Sequence, residues 1–188
     1  MNPSRHTHPT PRLQRLVQLG AITVAGIMLI AVPMQIVLAF IVGGTGLLFV
    51  LSAFFTLLLA APVLMLTAYT PAVTVATDGI TLHPVIWKEQ TIPWNAVRAV
   101  KVYPLLPIED AEVTRKLVVG KRNYRPAAGI MLIVPSLPPQ YRIAGFFAGE
   151  HAAPIIALTN RAHTEYEALV KMVLQYTDPA VHDAGLME

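Results

Sequence analysis

The densest group of side chains able to bind a charged partner lies between positions 115 and 125. Five basic residues and one tyrosine form this basic cluster: Arg115, Lys116, Lys121, Arg122, Tyr124 and Arg125. Each Lys or Arg held near an anionic lipid leaflet contributes about 1 kcal/mol to binding. The cluster therefore predicts binding to lipid headgroups or to an acidic partner protein. Alternatively, the cluster is a solvated loop without a partner, because the nearby acidic residues Glu109, Asp110 and Glu112 could pair with its basic side chains.

The other reactive side chains form no catalytic pattern. The sequence has no G-x-S-x-G, Walker A or H-E-x-x-H motif, and it has no Cys. His6 and His8 have the spacing of a chelating pair, but no third ligand lies near them, and we expect them in a mobile tail. We therefore predict a protein that is not an enzyme, with no cofactor and no bound metal. Nucleic-acid binding is not expected, because residues 78–188 carry as many acidic as basic side chains.

An uncharged run precedes these residues and dominates the chain. Between Leu16 and Thr77 there is no Asp, Glu, Lys, Arg or His. About 20 apolar helical residues cross a bilayer, so the run is long enough for two crossings. A signal peptide does not explain it, since the apolar part of a signal is only about 7–15 residues long. The run predicts an integral membrane protein.

The run is best divided at its glycines. Residues 43–46 read Gly-Gly-Thr-Gly, which favours a tight reversal. This division predicts one helix over about 16–41 and another over about 47–69. A reversal at residues 33–35 is the alternative, and it would leave a first helix of about 17 residues.

Basic residues indicate the orientation of these helices. The charged residues before Thr77 are Arg5, Arg12 and Arg15, all ahead of the first helix. Positive charge next to a membrane helix stays in the cytoplasm. We therefore predict a multi-pass protein of the inner (plasma) membrane, with both termini cytoplasmic.

The residues after the run predict a mainly antiparallel β domain. Val73, Val75 and Thr77 alternate, Asp78-Gly79 is typical of a two-residue hairpin turn, and Ile80 resumes the alternation. Further strands are predicted over residues 97–103, 116–120, 129–134, 141–147 and 154–158. Short strands separated by Pro and Gly favour an antiparallel sandwich or a partly open barrel. Phe146 and Phe147 in the fourth of these stretches suit either a buried strand or an exposed apolar hook.

A terminal helix is predicted over residues 161–176. Ala162, Tyr166, Leu169 and Val173 share one apolar face, and Asn160 is the candidate N-cap. Because strands come first and the amphipathic helix comes last, we expect the helix to cover the sheet. His163 is expected to make a hydrogen bond at the start of this helix.

Three motifs in this order resemble the bacterial PH-like domains. They are D-G-I at 78–80, I-P-W-x-x-V-x-x-V at 92–100 and I-x-L-T-N-x-x-H-x-x-Y at 156–166. The resemblance implies a β-sandwich or barrel of about seven strands capped by a helix, usually without enzyme activity and often preceded by a transmembrane hairpin. The expected organisation is a basic tail (1–15), a two-helix membrane hairpin (16–70), a PH-like cytoplasmic domain (71–176) and a C-terminal tail (177–188).

Two roles suit such a protein. In the first, it is a scaffold or accessory subunit whose hairpin packs against other integral membrane proteins through small residues such as Gly20, Ala21, Ala25 and Gly26. In the second, it is a module that senses membrane lipids through their headgroups. A membrane-bound enzyme is a distant third, and the sequence does not indicate an oligomeric state.

Overall fold

The computed structural model describes residues 3–65, 70–84 and 87–186. The chain divides into two compact units. The helical unit is Thr10–Ala68, and the sheet unit combines Met1–Pro9 with Tyr69–Glu188. Residues 3–9 therefore belong with the domain that follows the apolar run.

The helical unit contains two helices joined at the predicted glycines. Helix α1 is Pro11–Val42, a 3-10 turn covers Gly43–Thr45, and α2 is Gly46–Met65. Gly43 has a φ of 68°, which favours glycine. Pro33 lies inside α1, so the alternative reversal at residues 33–35 is wrong.

Small side chains let the two helices approach each other. Ala25, Ala53 and Ala60 are buried in the helical unit. Between the helices, the Thr56 hydroxyl donates to the Gln35 side-chain oxygen at 3.5 Å. In an apolar surrounding this contact gives the Gln35 amide a partner inside the chain.

Only part of the predicted membrane topology is supported by the length and hydropathy of the described helices. Gln14–Val42 is long and apolar enough to cross a membrane, with a mean hydropathy of 2.5. The apolar stretch Gly46–Ala60 in α2 is shorter than a span. The length and hydropathy of α1 are consistent with a membrane location, but those of α2 do not support a second crossing.

Four antiparallel strands make the first sheet of the sheet unit. In the order of their pairing they are β1 (Ser4–His6), β2 (Ala72–Val75), β3 (Gly79–His83) and β4 (Gln90–Pro93). The alternation predicted from the sequence is confirmed in β2 and β3. Val73 pairs with Leu82 and Val75 with Ile80, and all four are buried.

The turn between β2 and β3 differs from the prediction by one residue. The Ala76 N–H donates to the Gly79 carbonyl oxygen at 2.9 Å, so Thr77 and Asp78 occupy the centre of the turn. Neither Asp78 nor Gly79 has a positive φ, so this is not the type I′ turn that Asp-Gly suggests. Gly79 is required for close approach, because a Cβ there would overlap the Ile92 carbonyl oxygen of β4.

Strand β1 comes from the tail that the sequence suggested was mobile. Ser4 pairs with Val75 and His6 with Val73. The His6 ring is 1% exposed, and its Nδ1 donates to the Thr164 carbonyl oxygen at 3.0 Å. The Thr164 N–H donates to the Thr7 carbonyl oxygen at 2.8 Å. Backbone pairing and a buried side chain thus hold the N-terminus in the sheet unit.

The second sheet has three antiparallel strands in the order β5 (Ala99–Val102), β6 (Gly129–Ile133) and β7 (Ile155–Thr159). These match three of the predicted strands. Every residue of β6 and β7 is buried. Along the described residues the two sheets hold seven strands and do not close into a barrel.

Two predicted strands are wrong, because residues 116–120 and 141–147 lie largely in helices. These are α3 (Val113–Val119) and α4 (Arg142–Phe147). For α4, the sequence did contain a helical periodicity. Tyr141, Ala144 and Ala148 are spaced by three and four residues, and all three are buried. Gly145 is required there because a Cβ would overlap the Ala153 carbonyl oxygen.

The terminal helix forms but starts later than predicted. Helix α5 is Tyr166–Tyr176, and Leu169 and Val173 on it are fully buried. Asn160 is not its N-cap. The Asn160 side chain instead accepts from the Ala128 N–H at 3.1 Å and donates to the Pro126 carbonyl oxygen at 2.8 Å, ahead of β6.

The residues after α5 also pack on the sheet unit. His182 forms a parallel bridge with Val100 at the edge of β5, and the Asp183 N–H donates to the Val100 carbonyl oxygen at 2.9 Å. The Thr177 hydroxyl lies 2.7 Å from His182 Nε2. Residues 177–183 therefore cover a strand edge.

The position of β1 leads to the first prediction. A chain beginning at Thr70 lacks β1 and exposes the β2 edge, so we expect it to unfold at a lower temperature and to aggregate. Joining residues 1–9 to Thr70 through a flexible Gly-Ser linker should restore stability. The measurement is thermal unfolding followed by tryptophan fluorescence, since Trp94 stacks on Tyr176 at 5.6 Å.

The matched control replaces His6 by Ala in the linked form. Because this change removes a buried side chain that donates to Thr164, we expect it to lose part of the restored stability. Equal melting temperatures with and without residues 1–9 would contradict the role assigned to β1.

Candidate interaction surface

The predicted basic cluster lies in the connection between β5 and β6. Its first part is helical: a 3-10 turn covers Glu109–Glu112, and α3 follows directly. Acidic residues precede α3 and Lys116 lies in its last turn, which suits the helix dipole. Gly120, with a φ of 82°, ends the helix and donates to the Lys116 carbonyl oxygen at 3.0 Å. These signals were readable in the sequence.

Half of the cluster is paired, as the solvated-loop alternative expects. Lys116 Nζ lies 2.9 Å from Glu109 Oε2 and 4.9 Å from the centre of the Tyr124 ring. Arg125 lies 3.4 Å from Glu167, and both side chains are largely exposed. An exposed pair of this kind contributes little to stability.

A more buried contact anchors the connection. Arg161 donates two hydrogen bonds to the Glu112 carboxylate, at 3.0 and 2.5 Å. The Tyr124 hydroxyl donates to the same carboxylate at 2.6 Å, and Arg161 also donates to the Arg125 carbonyl oxygen at 2.7 Å. We call Glu112, Tyr124 and Arg161 the Glu112 clamp. Sequence reasoning missed Arg161, because no local pattern links residues so far apart in the chain.

The clamp shifts the pKa of two of its members. Burial alone would raise the pKa of Glu112, but the hydrogen bonds from Arg161 and Tyr124 and the charges of Arg161 and Arg115 outweigh it and lower the pKa. The hydrogen bond to Glu112 raises the pKa of Tyr124, and burial adds to that rise. Glu112 therefore stays ionised and Tyr124 protonated at neutral pH.

Three basic side chains of the cluster belong to none of these pairs. Arg115, Lys121 and Arg122 are exposed. Within the described residues none of the three has a carboxylate oxygen within 4.0 Å. They are the part of the cluster that can bind an external anion.

Large exposed apolar side chains lie close in sequence to these three basic residues. We call residues 105–125 the α3 segment. Six of its aliphatic side chains are more than 40% exposed: Leu105, Ile108, Val113, Leu117, Val118 and Val119. Leu117 and Val118 reach 77% and 82%. Sequence reasoning missed this feature, although three consecutive apolar residues at 117–119 beside basic residues could have indicated it.

A second apolar patch lies on α4. Phe146 and Phe147 are 66% and 61% exposed, and their rings meet edge to face with centres 5.6 Å apart. Of the two interpretations open for this pair, the structure agrees with the exposed one. Its only charged neighbours within five residues in sequence are Arg142 and Glu150, and Glu150 is paired with Lys101 at 2.8 Å.

A cavity of about 690 Å³ lies beside the Glu112 clamp. Arg125 and Arg161 line it together with Glu165 and Glu167. Because the acidic side chains balance the basic ones and both arginines already have carboxylate partners, this cavity does not favour an anionic ligand. The exposed residues of the α3 segment remain the better candidate surface.

His6 and His163 are buried and have structural contacts. His163 is 2% exposed, and its Nε2 donates to the Pro71 carbonyl oxygen at 3.0 Å. Burial lowers the pKa of His163, against the opposing effect of its hydrogen bonds to Pro71 and Thr159. His6 is buried at the edge of β1, as described above. His163 therefore ties the start of β2 to the turn before α5.

Comparison with known proteins adds no relative. No protein-family model matches the sequence, and no curated protein or solved structure matches it.

The clamp leads to the second prediction. Replacing Glu112 by Gln removes the charge that holds Arg161 and should destabilise the sheet unit by about 1–3 kcal/mol at neutral pH. Because the folded-state pKa of Glu112 is lowered, its stabilisation is present above the ordinary value of 4.5 and is lost as the pH falls through the folded value. The variant should lack this part of the acid sensitivity.

Glu109→Gln is the matched control, because Glu109 forms an exposed pair with Lys116 and should contribute little. Melting temperatures of the full chain in detergent, measured from neutral pH to below 4.5, compare the two variants. Identical pH profiles for Glu112→Gln and the wild type would disprove the clamp.

Proposed function

We propose that this chain is a non-enzymatic membrane protein in which a two-span helical hairpin carries a PH-like interaction domain on the cytoplasmic side of the inner membrane. One observation carries the proposal. Strand β1 precedes α1, β2 follows α2, and the two strands pair in one sheet. A chain that leaves and rejoins the same sheet crosses a bilayer an even number of times, so with α1 as one span this pairing favours a second crossing.

The backbone length of α2 is compatible with a second crossing, although its apolar stretch Gly46–Ala60 is shorter than a span. Gly46–Met65 contains 20 residues, and a rise of about 1.5 Å per residue makes it about 30 Å long. This equals the thickness of a bilayer's hydrocarbon core. Arg12 and Arg15 at the start of α1 favour the cytoplasm for both ends of the hairpin.

The architecture of the sheet unit supports the PH-like assignment. The described residues form antiparallel sheets of four and three strands followed by α5, which agrees with the strand number and the closing helix that the resemblance implies. The first strand is supplied from before the hairpin. An insertion of two membrane helices between the first two strands of such a domain would anchor it through both β1 and β2.

The role that we favour is that of a scaffold or accessory subunit of a membrane protein complex. Several surfaces suit protein partners. Gly20 and Gly26 on α1 have no atom within 4 Å of an added Cβ, which leaves space for another helix. In the sheet unit, Phe146 and Phe147 offer an exposed aromatic pair, and such residues are enriched at protein interfaces.

A second candidate role is the sensing of membrane lipids by their headgroups. The exposed Arg115, Lys121 and Arg122 favour it, since they lack carboxylate partners among the described side chains. This role does not require a protein partner. Both roles place the protein in the membrane without assigning it a reaction.

The third prediction concerns topology. Because the chain has no Cys, single cysteines can be introduced at Pro3, Gly44 and Gly185. Gly44 and Gly185 have open space around an added Cβ, and Pro3 is exposed. On intact spheroplasts, a membrane-impermeant maleimide should label Gly44→Cys only, and the other two only after lysis. Labelling of Gly185→Cys from outside would contradict the hairpin.

The fourth prediction separates the two roles. Purification of the full chain in a mild detergent, followed by mass spectrometry, should recover an integral membrane protein in a fixed ratio to it. Phe146→Ser combined with Phe147→Ser should weaken a complex that uses α4, while Lys171→Ser on the exposed side of α5 serves as control. Recovery of the chain alone, with anionic lipid, would favour the lipid-sensing role.

A further inference from the structure

The α3 segment exposes more apolar surface than a solvated loop explains. Single exposed apolar residues are common on protein surfaces, whereas several large ones exposed within one short segment indicate an interaction site. Here Ile108, Val113, Leu117 and Val118 are all at least half exposed, and three of them belong to one seven-residue helix. None of the residues of α3 is buried. The helix is therefore not held in place by its own apolar side chains.

Polar contacts hold α3 instead. The Glu112 clamp fixes the residue before the helix, and Lys116 pairs with Glu109. Tyr124 fixes the residues after the helix through its bond to Glu112. This arrangement leaves the aliphatic side chains free for an outside partner.

The charges around the patch identify the partner. Arg115, Lys121 and Arg122 flank Leu117 and Val118 and are exposed without a carboxylate within 4.0 Å in the described part of the chain. Aliphatic side chains among unpaired basic groups are typical of segments that lie in the headgroup region of an anionic bilayer. A protein partner with an acidic, apolar groove would need both features in one place, whereas an anionic bilayer presents both along its whole surface.

The α4 patch provides the contrast. Phe146 and Phe147 are exposed to a similar degree, but the α4 patch has one exposed basic neighbour, Arg142, instead of a cluster. The two sites therefore do not differ in the exposure of their apolar side chains. They differ in the number of exposed basic residues beside those side chains. For this reason the α3 segment fits an anionic bilayer better than the α4 patch.

We propose that the α3 segment inserts the side chains of Leu117 and Val118 into the interfacial region of an anionic bilayer, with Arg115, Lys121 and Arg122 on the lipid headgroups. This inference rests on the proposed membrane anchoring, because the hairpin keeps the sheet unit close to a bilayer. It goes further by assigning a second, reversible attachment to the membrane through a named element. The domain would then have two membrane contacts, the permanent hairpin and the charge-dependent α3 segment.

The experiment uses the full chain in liposomes and exploits the absence of cysteine. Val118→Cys carries a polarity-sensitive fluorophore, and Phe147→Cys is the matched probe on the α4 patch. The liposomes contain phosphatidylcholine with or without phosphatidylglycerol, and nitroxide-labelled lipids serve as quenchers. We expect the Val118 probe to shift to the blue and to be quenched when phosphatidylglycerol is present, while the Phe147 probe remains accessible to iodide in water.

A charge variant tests the basic residues. On the Val118→Cys background, the triple change Arg115→Ser, Lys121→Ser and Arg122→Ser should reduce lipid quenching to the level of the Phe147 probe. The control makes the same charge change at the exposed residues Lys88, Arg142 and Lys171 and should leave the quenching unchanged. The melting temperature of the control variant should equal that of the wild type, since its three side chains are exposed. The variant that contains Arg115→Ser should melt slightly lower, because the Arg115 charge helps to lower the pKa of Glu112.

Three results would overturn the inference. In the first, iodide quenches the Val118 probe in liposomes of both compositions. In the second, quenching by nitroxide lipids does not depend on phosphatidylglycerol. In the third, unlabelled Val118→Cys forms disulfide dimers and the probe is shielded in detergent, which would mean that a second copy covers these residues. Carbonate extraction distinguishes these outcomes from failure of the proposed function. A chain that stays in the membrane with an exposed probe disproves only the α3 insertion, whereas a chain that is extracted disproves the anchoring itself.

Discussion

The pairing of β1 with β2 is the constraint on which the rest of this structure depends. It joins residues before the apolar run to residues after it, so the sheet unit is built from two separate parts of the chain. Three backbone pairs alone would hold weakly, but His6 is buried and donates to Thr164, and Thr164 in turn donates to Thr7. Through these contacts, segments from before and after the apolar run are held in one sheet.

The connection between β5 and β6 shows how a polar contact can support an exposed apolar element. Helix α3 has no buried residue of its own, so its position depends on Glu112, which Arg161 and Tyr124 hold from outside the helix. A charge-assisted pair with low exposure is directional, because it requires a fixed geometry of donor and acceptor. It thus holds the helix while leaving Leu117 and Val118 uncovered.

Prediction from sequence succeeded where local periodicity and burial agreed. Strands β2 and β3 alternate and bury one face, β6 and β7 are apolar runs that are buried throughout, and the glycines at 43–46 mark the helix reversal. It failed at α3 and α4, where short apolar stretches suited strand and helix equally. In α4 the spacing of Tyr141, Ala144 and Ala148 was the better signal, and in α3 it was the order of acidic residues, basic residues and Gly120.

The sequence by itself determined the apolar run and its reversal, the alternation of β2 and β3, and the place of the basic cluster, because each follows from composition or spacing within a few residues. Only the tertiary structure decided that β1 joins β2, that Arg161 pairs with Glu112, and which basic residues remain exposed. These contacts link positions as far apart as Arg161 and Glu112 or His6 and Thr164, so no local pattern records them. Burial and charge pairing depend on which distant segments the fold brings together, and that is why the sequence alone did not show which basic residues of the α3 segment lack a carboxylate partner.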